Sequence, residues 1–444
     1  MRRLPLAFAL AAALSPLGVV HAEDLMQTYQ QARQNDPQYA AAEANRAVAA
    51  ENPVLARAAL LPQIGGSVGV TRSDLGPGSS VQTGSWGVTL NQSLFDYGNY
   101  TALRGAKALD RAGGYDLVAA GHDLITRTSA AYFNVLVQLE TLAAAEASEA
   151  ALKKQFDLAS KRLEVGLAPI TDVHEARAQY DAARANTILT RNTLQDAYQA
   201  LVQITGTRVG DLKGLPEDFQ PALPSQQGGV DAWVANATGQ NPSLQAQRAD
   251  LEAAEANVGT ARSGHLPTLG LTASYGKAIP SLFNPDFGPG PNEASSSVNI
   301  SLSVPIFSGF ATQSQVRSAL AKRDAAADAV EQTKRAVERN TRSAYQALVA
   351  GVSEVEARRL AVVSAKSAYD ASQVGLEVGT RTVVDVLINQ QNLFNAQQAY
   401  ALAKYNFLQS RLLLGQAAGS LGADDVQDVN RLLTVDTPVG EANP

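Results

Sequence analysis

The stretch "SSVNISLSVPI", residues 296–306, decides how this chain is read. Val298, Ile300, Leu302, Val304 and Ile306 point one way while Ser297, Asn299, Ser301 and Ser303 point the other, the period of two that marks a strand with unlike faces. Three further stretches alternate in the same way: "QIGGSVGVTR" (63–72), "SWGVTLNQS" (85–93) and "TLGLTASY" (268–275). The strands expected over about 63–73, 84–95, 267–276 and 296–307 have the length a tilted strand needs to cross a bilayer. The pattern equally fits an ordinary antiparallel sheet with one face on a soluble core. Two features favour the membrane. The polar sides carry Ser, Thr, Asn, Gln and Gly without charges, and the connections "SDLGPGSSVQT" (73–83) and "KAIPSLFNPDFGPGPNEA" (277–294) are long and rich in Gly and Pro, as outward-facing barrel loops are.

Helices surround these strands. No proline interrupts residues 98–165 or 309–378, and at ~1.5 Å rise per residue each stretch makes a helix on the order of 100 Å long. No ordinary globular domain has that diameter. Gly113 and Gly114 place a bend in the first of them. Each long helix is followed by another, over 171–205 and 382–418, with a 3-4 spacing of apolar and small residues such as Val173, Ala176, Tyr180, Ala183 and Val386, Asn389, Leu393, Ala396. That spacing is a coiled-coil seam. A shorter alanine-rich helix precedes each strand pair, at about 37–60 and 242–263.

The chain therefore reads as two copies of one unit. Aligning "NDPQYAAAEANR" from Asn35 with "QNPSLQAQRADL" from Gln240 sets Pro37 on Pro242 and Pro62 on Pro267, and "LEVGLAPITDV" (163–173) on "LEVGTRTVVDV" (376–386). The expected organisation is a signal peptide over 1–22, a first repeat over 23–206, a Pro/Gly-rich linker or equatorial segment over 207–238, a second repeat over 239–422 and a polar, loosely held tail over 423–444. The signal is read from Arg2 and Arg3, the apolar run Leu4 to Leu14, and Val20-His21-Ala22 at cleavage spacing.

Composition excludes several classes. The net charge of −6 comes with no basic stripe, which sets nucleic acid aside. Zero cysteines rule out disulfides, thiolate metal sites and lipidation at the cleavage point. Beyond the signal no run of eighteen apolar residues is present, so any membrane crossing is made by strands. The four histidines sit in unrelated contexts and no nucleotide, hydrolase or metalloprotease motif appears. An enzyme, a cofactor and a structural metal are not expected.

Four strands cannot close, since the smallest spanning barrels have about eight, and an open edge facing lipid leaves backbone groups unsatisfied at several kcal/mol each. Two chains would give eight strands with a filled interior, three would give twelve with a lumen. The polar, uncharged strand faces favour the lumen. The expected fold is thus an α+β membrane protein: a homotrimeric twelve-stranded barrel, four strands per protomer, continued by a long coiled-coil helical tube. A soluble coiled-coil scaffold or adaptor, and a passive porin, are the rival readings; a porin needs no such extension.

"EDLMQTYQQARQNDP" (23–37), "GHLPTLGLTAS" (264–274), "ITDVHEARAQYDAARAN" (170–186) and "VGTRTVVDVL" (378–387) resemble the outer membrane efflux protein family in the same order over nearly the whole chain. The resemblance implies an outer-membrane exit duct reaching into the periplasm, serving drug efflux or type I protein secretion. It would dock with a periplasmic adaptor and an inner-membrane transporter of the ABC or RND class. It also assigns roles. Asp385 matches a family aspartate lining the periplasmic entrance, where three carboxylates would raise one another's pKa and attract cations, giving selectivity and divalent-cation block. A second acidic position one turn on is Ile388 here. Thr171 and Asp172 match positions that bond an arginine and a tyrosine in the closed tip; Arg381 matches the arginine, but Leu376 replaces the tyrosine. Gly166, Leu167, Gly379 and Thr380 match adaptor-docking positions. From residue type alone, Asp172 with Glu175 and Asp385 with Thr382 read equally as helix caps, and the four tip residues as turn residues, Gly166 and Gly379 being suited to a left-handed helix terminus. The new helices are expected to start at Thr171 or Asp172 and at Thr382.

Overall fold

The computed structural model describes residues 22–74, 80–167, 169–216, 218–223, 229–279 and 294–437. The signal segment before Ala22, most of the two long strand connections and the last seven residues lie outside the described residues. The elements run α1 (Leu25–Asn35), α2 (Pro37–Ala58), β1 (Gln63–Asp74), β2 (Ser80–Phe95), α3 (Tyr97–Glu164), α4 (Ile170–Thr205), β3 (Leu212–Gly214), α5 (Gly229–Gln240), α6 (Pro242–Ser263), β4 (Thr268–Ile279), β5 (Ala294–Ser303), α7 (Ala311–Glu377), α8 (Val383–Ala418), α9 (Ala423–Asn430) and β6 (Val435–Thr437).

β1, β2, β4 and β5 form one antiparallel sheet in that order. Its rows alternate in character. Ile64, Leu90, Ala273 and Val298 face each other across the strands, and the next row holds Gly65, Thr89, Ser274 and Ser297, with the two serine hydroxyls 2.8 Å apart. A register shift between Ser93 and Phe95 brings Phe95 opposite Leu269 and so onto the apolar face, which is what a bulge does to the side chains beyond it. β5 ends at Ser303 rather than at 307: Pro305 has no N–H to give a ladder. β2 begins at Ser80, four residues earlier than expected, because the Ser, Gln, Thr and Gly before Trp86 pair with β1 without showing apolar alternation. Among the described residues no helix packs along either face of the sheet, and every residue of β5 is exposed. The reading of one face on a soluble core is therefore incorrect.

α2, α3, α6 and α7 lie side by side in that order, and further from the sheet the order becomes α4, α3, α8, α7. The layer is one helix thick. α2 and α6 start alike, with Asp36 and Asn241 capping through their side chains and proline at the first helical position. α3 runs as one continuous helix through Gly113 and Gly114. A Cβ at Gly113 would stand 2.5 Å from that of Ala49; the glycine lets α2 approach.

The core sits where α1, α9 and β3 wrap the middle of α3 and α8, with Leu25, Leu124, Leu136, Leu201, Leu408 and Val426 fully enclosed. The tail is not loose over its described part. Val426, Val429 and Leu433 of the 423–437 segment are buried, Asn430 accepts from the Leu25 N–H at 3.0 Å, and β6 pairs antiparallel with β3. Apolar side chains at helical spacing between the aspartates drive that packing.

Candidate functional site

The two hairpin tips are built on the same backbone device. α3 ends with Gly166 at φ +76° and α7 with Gly379 at φ +77°, the left-handed conformation that glycine adopts without steric cost. Leu167 N–H donates to Arg162 O at 2.8 Å and Thr380 N–H to Gly375 O at 2.8 Å, and inside each loop Gly166 N–H donates to Leu163 O at 2.9 Å and Gly379 N–H to Leu376 O at 3.3 Å, so both ends are Schellman motifs.

The restarts differ. At the second tip Thr382 caps α8: Asp385 N–H donates to Thr382 Oγ1 at 3.3 Å, while Asp385 Oδ2 accepts from the Thr382 N–H and hydroxyl, both at 2.9 Å. The Thr382 backbone N–H, then its hydroxyl, then the nearby Arg381 charge hold the Asp385 carboxyl below the usual carboxylate range. At the first tip the helix begins at Ile170, a residue before the expected start, and Pro169 occupies the cap with no side-chain bond. The expected Asp172–Glu175 capping box does not form, because the helix already covers Asp172, whose N–H donates to Pro169 O at 3.2 Å. Asp172 and Asp385 thus occupy the same third helical position, one supported by a threonine and the other not.

A cleft of about 300 Å³ separates the tips. It brings together Leu167 and Asp172 from the first with Leu376, Gly379 and Arg381 from the second. Thr171, Gly166 and Thr380 lie outside it and exposed, as does Ile388, one turn beyond Asp385 and 55% exposed. Among the described residues no ion pair joins Asp172 to Arg381 within the chain. One determinant was not evident from sequence: Gly375 is buried beneath Arg381, and a Cβ there would stand 2.6 Å from Arg381 Cγ.

Higher up, a buried ion pair joins the two long units. Lys404 Nζ of α8 lies 2.9 Å from Glu140 Oε1 of α3, the Tyr405 hydroxyl donates to the same oxygen at 2.9 Å, and the Lys404 ammonium sits 5.0 Å from the centre of the Tyr400 ring. The Leu215 N–H donates to the Tyr405 hydroxyl, and the Tyr132 hydroxyl donates to Lys213 O at 2.8 Å. The belt strand β3 is thereby tied to α3 and α8. Burial pushes the phenols of Tyr132 and Tyr405 well above their ordinary values.

A bare two-faced sheet continued by ~100 Å helices that end in paired tips defines an outer-membrane channel protein that extends into the periplasm. The chain belongs to the outer membrane efflux protein family, which it matches over residues 28–207 and 233–420. It is 35% identical to outer membrane protein TolC of Vibrio cholerae over 98% of this chain and 99% of that protein. It is 37% identical to TolC of Escherichia coli strain K12, over 93% and 85%. The alkaline protease secretion protein AprF of Pseudomonas aeruginosa is 28% identical over 91% and 86%. Among solved structures, the outer membrane protein VceC of Vibrio cholerae superposes with a TM-score of 0.75 at 21% identity, covering 89% of this chain and 96% of that one.

Proposed function

We propose that three copies of this chain pool their strands into a twelve-stranded barrel and their helices into a periplasmic tube, forming the exit duct of a tripartite export system. The carrying observation is that the protomer is open on every side that matters. Among the described residues β1 and β5 have no outer neighbour in the sheet. The helices at the margins of the layer leave Val54, Leu55, Ile188, Leu189, Leu360 and Val363 exposed. Identical neighbours would satisfy both edges at once.

The inner-membrane transporter and periplasmic adaptor would dock at the tips, with Gly166, Leu167, Gly379 and Thr380 on the exposed rim. The relatives include a protease secretion protein and an efflux protein, which supports export of proteins, of small molecules, or both. Asp385 is proposed to line the entrance, its Oδ1 left for a passing or blocking divalent cation while Thr382 occupies Oδ2. Ile388 would add an apolar ring beside it. Arg381 is proposed to reach Thr171 and Asp172 of a neighbouring chain in the closed state. Leu376 cannot donate a hydrogen bond, so this closure has fewer polar contacts than the family pattern. The two repeats and their boundaries are part of the same proposal, each supplying two strands and one helical hairpin.

The test is functional: cells lacking their own exit duct are given this chain and its cognate pump, and retention of a fluorescent pump substrate is followed. Restored extrusion that depends on the pump supports the duct. Equal leakage with and without the pump would make the protein a passive porin.

A further inference from the structure

The four membrane strands hold three charged residues, Arg72, Asp74 and Lys277, all within the last three positions of β1 and β4. Arg72 and Lys277 are each the tenth residue of a twelve-residue strand, but the register sets Arg72 opposite Gln82, four rungs beyond the row that holds Lys277 and Trp86. Both lie at the ends remote from the helices, hence toward the cell exterior. Their face follows from register. Lys277 stands in one row with Val68, Trp86 and Ala294, and the row beside it on that face holds Val88 and Tyr275. Arg72 shares the parity of Ile64, Val68 and Val70. Both cations therefore belong to the apolar, lipid-facing side, where a charge at the bilayer midplane is destabilising but one at the interface is not.

Their height is set by the aromatic residues. Trp86 and Tyr275 meet edge to face with centroids 5.8 Å apart; Phe95, nine residues from Trp86 on β2, marks the other margin with Phe307 and Phe310. Nine residues span ~30 Å along a strand and ~23 Å across a barrel tilted by about 40°, close to the ~25 Å apolar band of such barrels. Lys277 thus sits in the outer aromatic layer itself and Arg72 four residues, ~13 Å along its strand, beyond the Trp86 row on the headgroup side. An intervening strand keeps them ~10 Å apart or more across the sheet, too far to share one phosphate. Asp74, opposite Ser80 at the outermost rung, lies further out still.

We propose that Arg72 and Lys277 form a lipid-facing cation ring, two per protomer, that holds the phosphate groups of outer-leaflet glycolipids against the Trp86–Tyr275 layer. The inference rests on the barrel reading above. Purified full-length protein in detergent is incubated with diphosphorylated lipid A or its dephosphorylated form, and bound lipid is counted by native mass spectrometry. With a cation near an anionic surface contributing about a fivefold effect, Lys277→Gln binds phosphorylated lipid about fivefold more weakly and Arg72→Gln/Lys277→Gln roughly 25-fold more weakly. Arg72→Lys/Lys277→Arg binds as wild type. Equal binding by wild type and Lys277→Gln overturns the proposal, as does equal binding of the dephosphorylated lipid. Displacement of the lipid by ~10 mM inorganic phosphate would mean a bare ion site and also overturn it. Planar-bilayer conductance separates the two levels: variants that conduct like wild type leave the barrel intact whatever their lipid binding, and a wild type that never inserts refutes the barrel itself.

Discussion

Arg381 lies across Gly375, its Cγ only 2.6 Å from where a Cβ on residue 375 would be placed. The side chain proposed to close the tip is thus positioned by the absence of another. Gly375→Ala is expected to displace Arg381 while leaving α7 helical, since alanine is the better helix former. The closed state should become leakier in planar bilayers, as with Arg381→Ser. Unchanged closed-state conductance in both variants would place the closure elsewhere.

Asp385 is bonded by Thr382 through both its N–H and its hydroxyl. Because its folded pKa is depressed, the charged cap is present above the ordinary carboxylate range near pH 4 and is lost only as pH falls through the lower value. Asp385→Asn should reduce cation selectivity and divalent block. Thr382→Ala should raise the pH at which selectivity disappears, a shift read from reversal potentials between pH 7 and 3. A midpoint that does not move would show that the threonine hydroxyl does not hold the charge.

Lys404 is almost wholly enclosed against Glu140, whose side chain is 30% exposed. Removing one partner of a buried pair leaves the other uncompensated. Lys404→Met is expected to destabilise the fold by about 3 kcal/mol, and Glu140→Leu/Lys404→Met by clearly less, measured by denaturant unfolding. Strict additivity of the two single changes would deny the coupling.

The packed tail makes a prediction of its own. Val429 is fully buried, and Val429→Asp places a carboxylate among apolar side chains, which should lower the melting temperature by several degrees. A tail that only trails in solvent would tolerate the change.

Much of this architecture is legible in the residues because it rests on strict periods. Alternation of Val298, Ile300 and Leu302 with serine and asparagine survives into the rows of the sheet, and of the named seam residues Ala176, Val386 and Leu393 are buried and the others half-buried. What escapes depends on contacts distant in sequence. The aspartates of 424–428 conceal the apolar face of α9 until α1 and α8 cover it. Nothing near Lys404 in the chain points to its partner, because Glu140 lies 264 residues away. The Phe95 bulge and the Pro169 restart are local, yet neither follows from periodicity, because each breaks it.

Sedimentation or light-scattering mass of the detergent-extracted particle tests the central claim most directly. With two open sheet edges and four strands per chain, the account predicts a particle of three chains that resists dissociation until heated and conducts ions after insertion. A monodisperse single chain, stable in water without detergent, would contradict it.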